Sequence, residues 1–172
     1  MCQFAGKTFE LGWLVCAIES EGSISLSWGR GKHKTRRNCQ IAPKVNLTNK
    51  SKSYIENAVR ISKSLNIGCH VAKRSNDCYV ITWAGFKRVK SILDVLYPGM
   101  VDERKKELAK ITLDFIEYRM SLDYLHTPYG EYEKELFLKA RDLNNQGRLS
   151  KQFIKFSFED SKESPEAIRS EP

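Results

Sequence analysis

Leu14-Val15-Cys16-Ala17-Ile18-Glu19-Ser20-Glu21-Gly22, followed at once by Ser23-Ile24-Ser25-Leu26-Ser27-Trp28, is the stretch on which the fold turns. Its first part continues a helix predicted from Thr8 to Glu21, with Thr8 as N-cap and Gly22 as the stop. Apolar Leu11, Trp13, Leu14, Val15 and Ile18 cover most of the circumference, so the helix is expected to bury more than one side. Gly12, Cys16 and Ser20 recur every four residues and line one face with small side chains. Such a face lets a second helix backbone approach closely. A helix–helix seam explains both features better than small residues packed under a sheet. The second part alternates strictly between polar and apolar, the mark of a strand with one buried face.

Outward from this stretch, a basic loop runs from Gly29 to Asn38 and carries Arg30, Lys32, Lys34, Arg36 and Arg37. Gln40 to Leu47 then alternates again, with Lys44 and Asn46 on the polar side. Pro43 cannot donate to a ladder, which predicts an edge position or an irregularity. Ser23, Ser25, Ser27, Gln40, Lys44 and Asn46 therefore form one polar face on a strand pair. A two-stranded ribbon of this kind fits the major groove of DNA.

Ser51 is placed to cap a helix to about Leu65, ended by Asn66-Ile67-Gly68. Strands from Cys69 to Lys73 and Cys78 to Trp83 follow, then a helix from Phe86 to Leu96 that stops at Pro98-Gly99. The predicted order is helix, hairpin, helix, hairpin, helix: an α+β unit with one antiparallel sheet and helices on one side. Asp102 caps a long helix to Leu122, Thr127-Pro128-Tyr129-Gly130 breaks it, and another helix runs from Glu131 to Leu143. The expected organisation is a core over 1–100, a helical extension packed on it over 101–158, and a disordered acidic tail over 159–172. Phe153, Ile154, Phe156 and Phe158 make an apolar segment expected to dock.

The 172 residues suit one domain, and Lys+Arg 29 against Asp+Glu 21 leaves a formal charge of +8. That excess is uneven. Residues 1–100 balance to +10, residues 101–158 to +1, and the tail to −3. No acid lies between Gly29 and Asn49, so the basic run sits on a hairpin surface suited to phosphates. No apolar run approaches the roughly 18 residues that cross a bilayer, and the N-terminus lacks a signal-peptide pattern. The five cysteines never fall as CxxC, which argues against a disulfide scaffold or zinc ribbon. They are read as small buried hydrophobes, and an intracellular, reducing location is expected. His33, His70 and His126 show no ligand spacing.

Glu19 and Glu21 sit at the negative end of a helix dipole, where a carboxylate is disfavoured by roughly 0.3–1 kcal/mol. Held beside a basic face, such a carboxylate is well placed to take a cation. Here the stretch Leu14 to Gly22, with the Ser-Ile strand behind it, resembles the LAGLIDADG homing endonuclease motif. The helix–hairpin–helix–hairpin–helix order over about residues 8 to 98 resembles that family's core.

The resemblance implies a specific chemistry. Two motif helices would pack through the Gly12, Cys16 and Ser20 face; with one motif copy, the second comes from another chain, giving a homodimer on a near-palindromic site. The last acidic residue of the motif, Glu21, would bind Mg2+ (or Mn2+), with the Ser20 carbonyl as a further ligand. No small-molecule cofactor and no membrane is implied. The auxiliary basic residue of the family falls at the start of the long helix, on Lys105, with Lys106 and Arg104 as alternatives. Asn49 matches the polar residue that orders water, and Lys52 is a candidate for transition-state support. The second hairpin adds His70, Arg74, Val80 and Thr82 to the DNA-binding set. Glu stands at both acidic positions where the usual form has Asp, and Cys16 replaces a common Gly.

The implied activity is metal-dependent double-strand cleavage of a long DNA site by an intron-encoded endonuclease. The rival reading keeps the fold without cleavage, as an RNA maturase or a DNA-binding regulator. Asp94 with Glu103-Arg104-Lys105 also mimics another nuclease class, but that pattern belongs on strands and these residues are predicted helical.

Overall fold

The computed structural model describes residues 2–30, 39–74, 76–122 and 127–145. In chain order these form α1 (Cys2–Glu21), β1 (Gly22–Arg30), β2 (Cys39–Asn49), α2 (Lys52–Ser64), β3 (His70–Lys73), β4 (Tyr79–Ala84), α3 (Phe86–Leu96), a 3-10 turn (Tyr97–Gly99), α4 (Glu103–Ser121) and α5 (Glu131–Asn145). The expected α+β order is observed. The strands make one antiparallel sheet in the order β1-β2-β4-β3. The basic residues Lys32, Lys34, Arg36 and Arg37 lie outside the described residues, as do His33, His126 and the apolar segment after 145.

Local chemistry accounts for most boundaries. Ser51 caps α2 by accepting from the Tyr54 N–H, and Asn66, at φ 57°, closes the helix in the left-handed region that Asn tolerates. Asp102 caps α4 by accepting from the Lys105 N–H at 2.7 Å. Thr8, expected as the N-cap of α1, instead lies inside it, because the helix starts at Cys2. The stretch Cys2 to Lys7 contains neither proline nor a β-branched residue, so nothing in it stops the helix from running further back.

Pro43 corrects a second expectation. It lies on β2, an interior strand, opposite Leu26. Pairing with β4 ends one residue away, at Lys44 and Ala84, and the Pro43 carbonyl accepts from the Gly85 N–H at 3.3 Å. The N–H and C=O of a strand residue point to the same side. The missing donor therefore faces the place where β4 stops, and no bond to β1 is lost. Beyond Pro43 the hairpin continues as a two-stranded ribbon, from Ser27–Ala42 to Arg30–Cys39, with no third strand beside it among the described residues.

One sheet face carries the core. Ile24, Leu26, Ile41, Val45, Leu47, Ile81 and Trp83 are buried against Leu14 and Ile18 of α1, Ile55 and Ile61 of α2, and Val89 and Leu93 of α3. At about 25 cal/mol per Å² of apolar surface removed from water, this contact dominates stability. Helices α4 and α5 join the same cluster through Leu108, Phe115 and Phe137. An aromatic group seats them on the ribbon's root: Phe137 and Tyr129 lie 6.0 and 6.1 Å from Trp28, centroid to centroid. The Tyr129 hydroxyl accepts from the Ile41 N–H at 2.9 Å, and burial pushes its phenol pKa up. Asn144 donates to the Ile24 carbonyl at 2.9 Å.

Within this extension a fully buried ion pair joins α4 to α5. Arg119 and Glu133 are 3% and 1% exposed, with 2.8 Å between Nη1 and Oε1. Arg119 also donates to the Thr127 carbonyl, and its guanidinium stacks 4.5 Å from the Tyr129 ring centroid. The second Glu133 oxygen accepts from the Gly130 N–H at 2.6 Å, closing half of a capping box. Removing one partner leaves the other charge buried. Glu133→Ala is therefore expected to cost about 3–5 kcal/mol, read as a lower urea midpoint; an unchanged midpoint contradicts this account.

Candidate active site and nucleic-acid face

The face of the sheet opposite the core is polar. Register places Ser23, Asn46, Thr82 and His70 in one rung across all four strands. Ser25, Lys44 and Ala84 form the next rung, and Ser27 pairs with Ala42 beyond it. Ser23, His70 and Arg74 are exposed, while Ser25, Ser27, Lys44, Asn46 and Thr82 are half-buried. The Thr82 hydroxyl donates to Asn46 Oδ1 at 2.8 Å, so the two side chains act as a fixed pair. The Ser27 hydroxyl turns back to the Ala42 carbonyl at 3.1 Å. Val80 shares this face yet is buried at 4% exposure, so among the residues expected to face a ligand it is the covered one. The backbones of Arg30 and Gln40 are paired in the ribbon, and their side chains lie outside the described residues.

Glu21 is exposed at the last position of α1, and the next residue, Gly22, opens β1 opposite Leu47. The handover is tight. A Cβ on Gly22 would come within 2.7 Å of the Ile18 Cα and carbonyl oxygen, so only glycine fits. Asn49, two residues past Leu47 on β2, lies at the same end of the sheet and accepts from the Ser51 N–H at 2.8 Å. Lys52, at the start of α2, pairs with Glu56 at 3.1 Å on the surface.

Lys105 reaches this end from α4. It is 6% exposed, and its Nζ donates to the carbonyls of Ile18 at 2.8 Å and Gly22 at 2.6 Å. Arg104 instead donates to the Leu143 carbonyl, and Lys106 lies over the Tyr97 ring. Of the three basic candidates, Lys105 is the one the fold brings to Glu21. Burial and the neighbouring Arg104 lower its pKa, while Asp102, Glu19 and Glu21 raise it, with the lowering effects the larger.

Glu19 does something that no local spacing reveals. Its Oε1 accepts from the backbone N–H groups of Val101 and Asp102, each at 2.7 Å. The only hint in the sequence is energetic, because a carboxylate on a helix C-terminus gains from finding a helix N-terminus. Gly12, Cys16 and Ser20 share an exposed face of α1, so Cys16 is not the buried hydrophobe expected of the cysteines, Cys69 and Cys78 are only half-buried, and a Cβ on Gly12 would meet nothing within 4 Å. The Ser20 hydroxyl bonds back to the Cys16 carbonyl at 2.8 Å.

Among the described residues no three of His, Cys, Asp and Glu gather into a metal-holding group. Glu21 is an exposed carboxylate at the last position of α1. Its hard oxygens, beside helix-end carbonyls, suit Mg2+ or Mn2+.

The fold has counterparts among solved structures. A homing endonuclease, I-CvuI, bound to DNA in the presence of magnesium superposes with a TM-score of 0.67 at 16% identity, over 90% of this chain and 96% of that one. An archaeal intron-encoded homing endonuclease complexed with DNA gives 0.65 at 18% identity, over 90% and 97%. The fold is that of the LAGLIDADG homing endonucleases. I-LtrWI, a LAGLIDADG enzyme bound to its target DNA, matches at 0.66 and 15% identity, but this chain covers 49% of it. No family model and no curated protein sequence matches the chain.

The lowered Lys105 pKa has a consequence for stability. Between its folded value and the ordinary 10.5, the unfolded chain binds more protons, so this contribution rises with pH there. Wild type is expected to gain stability relative to Lys105→Met as pH climbs from neutral toward 10.5. Urea unfolding at stepped alkaline pH checks it, and a gap that shrinks over that window contradicts it.

Proposed function

We propose that this chain is an intracellular, site-specific DNA endonuclease acting as a homodimer on a long, near-palindromic, intron-associated target. The observation that carries the reading is Glu21: an exposed carboxylate at the end of a polar sheet face, with the Lys105 ammonium bracketing its backbone. Its solved neighbours supply the support for DNA as the partner, since those structures are homing endonucleases in complex with DNA. One was solved with magnesium and another with calcium.

In this reading two chains pair through the open Gly12, Cys16 and Ser20 face of α1, which brings two Glu21 carboxylates together. Glu21 and the Ser20 carbonyl would hold a divalent cation there, which when bound would supply an activated water for attack at phosphorus and charge stabilisation for the departing 3′ oxygen. The chain's own part is positioning. Ser23, Ser25, Ser27, Gln40, Lys44 and Asn46, with His70, Arg74 and Thr82, would lie along the groove, and the buried Val80 would support them from within the sheet. Arg30, Lys32, Lys34, Arg36 and Arg37 would hold phosphates. Asn49 would order water near the scissile bond, Ser20 would lend its carbonyl to the cation, and Lys52 would steady the developing charge once released from Glu56. Lys105, with its ammonium on the Ile18 and Gly22 carbonyls, would keep the electrostatic field at Glu21 positive enough for a phosphate to approach.

Two measurements test this. Glu21→Gln is expected to abolish double-strand cutting of DNA spanning the insertion site of its gene, in magnesium, while a gel shift shows binding retained. Normal cutting by that variant defeats the assignment, and binding without cutting by wild type returns the chain to the non-cleaving reading. Asn46→Ala, which frees Thr82, is expected to relax base preference locally by about 1–3 kcal/mol, read from binding to a panel of single-base variants. An unaltered preference places base reading elsewhere.

A further inference from the structure

The tail of α1 and the head of α4 hold each other through opposite charges. Glu19 Oε1, on α1, accepts from the Val101 and Asp102 N–H groups, both at 2.7 Å. Asp102 in turn caps α4 by accepting from the Lys105 N–H at 2.7 Å. Lys105 returns across the gap and donates to the Ile18 and Gly22 carbonyls. The circuit is closed: Glu19 to Asp102, Asp102 to Lys105, Lys105 to the two carbonyls on either side of Glu19-Ser20-Glu21. The end of α1, which has no basic residue in its last turn, receives its counter-charge from Lys105, while the head of α4 adds Glu19 to its own Asp102 cap and Glu103.

The two acidic residues of this turn are thereby separated in kind. Glu19 has one oxygen committed to two backbone donors, whereas among the described residues no hydrogen-bond donor meets Glu21. We propose that Glu19 is a positioning residue: by tying the head of α4 to the tail of α1, it fixes Lys105 and Glu21 relative to one another. It touches neither DNA nor cation. The proposal rests on the reading of Glu21 as the carboxylate that serves cleavage.

Both bonds fall on a single oxygen, which makes the idea testable. A glutamine has one carbonyl oxygen able to accept the same pair of N–H groups, and an alanine has none. The first readout is independent of activity. Glu19→Ala is expected to speed amide exchange at Val101 and Asp102 and to broaden the Lys105 ammonium resonance by NMR, while Glu19→Gln restores both. Loss of protection confined to Val101 and Asp102, with the Lys105 ammonium unaffected, overturns the proposal.

The second readout is single-turnover cleavage, in magnesium, of the duplex used for Glu21. Glu19→Ala is expected to slow it by about a hundredfold, the scale of a misplacement of roughly 1 Å, with DNA affinity unchanged and Glu19→Gln near wild type. A Glu19→Ala variant that cuts at the wild-type rate overturns the proposal. So does a folded Glu19→Gln variant as slow as Glu19→Ala, because then charge rather than geometry is needed. Should Glu21→Gln cut normally, the reading of Glu21 fails, and the exchange and ammonium data still decide whether Glu19 positions Lys105.

Discussion

A helix that ends in two carboxylates and then turns straight into a strand exposes a concentration of negative charge at its carbonyl end. The answer is a single cation from far along the chain, Lys105, whose ammonium caps the Ile18 and Gly22 carbonyls. Everything at this end of the molecule depends on that contact. It joins the Asp102-capped head of α4 to the point where α1 and β1 meet with no room for a Cβ on Gly22. It also leaves Glu21 as the exposed acid. Arginine would not substitute easily, since a planar fork cannot wrap two carbonyls as a compact ammonium does.

Much of the fold was legible in the sequence because its signals are local. The alternation from Ser23 to Trp28, the Ser51 and Asp102 caps and the Pro98-Gly99 stop each declare a boundary within a few residues. The start of α1 was not legible, because Thr8 has the chemistry of a cap but nothing before it interrupts the helix. Pro43 misled for a related reason. Its cost depends on which neighbour its nitrogen faces, and that is a property of the assembled sheet.

The candidate site divides along the same line. The family resemblance pointed to Lys105 ahead of Lys106 and Arg104, and of the three it is Lys105 that the fold turns to Ile18. Glu19 offered no pattern at all, because its partners are backbone groups more than eighty residues away. Nothing in the local sequence marks Arg119 and Glu133 as a pair, and only packing shows them buried and mutually dependent. Interactions that span the chain leave little trace in spacing.

The stop of β4 at Ala84 gives the β1–β2 hairpin a mechanical character of its own. Past Pro43 it is a cantilever, clamped where Trp28 meets Phe137 and where Tyr129 holds the Ile41 amide. Two-stranded ribbons twist more than wide sheets, so the pitch of this arm is set by its own two strands while its root is locked to the core. The clamp thus fixes the direction in which the arm leaves the sheet, while Glu21, one residue before β1, sits at the opposite end of that strand.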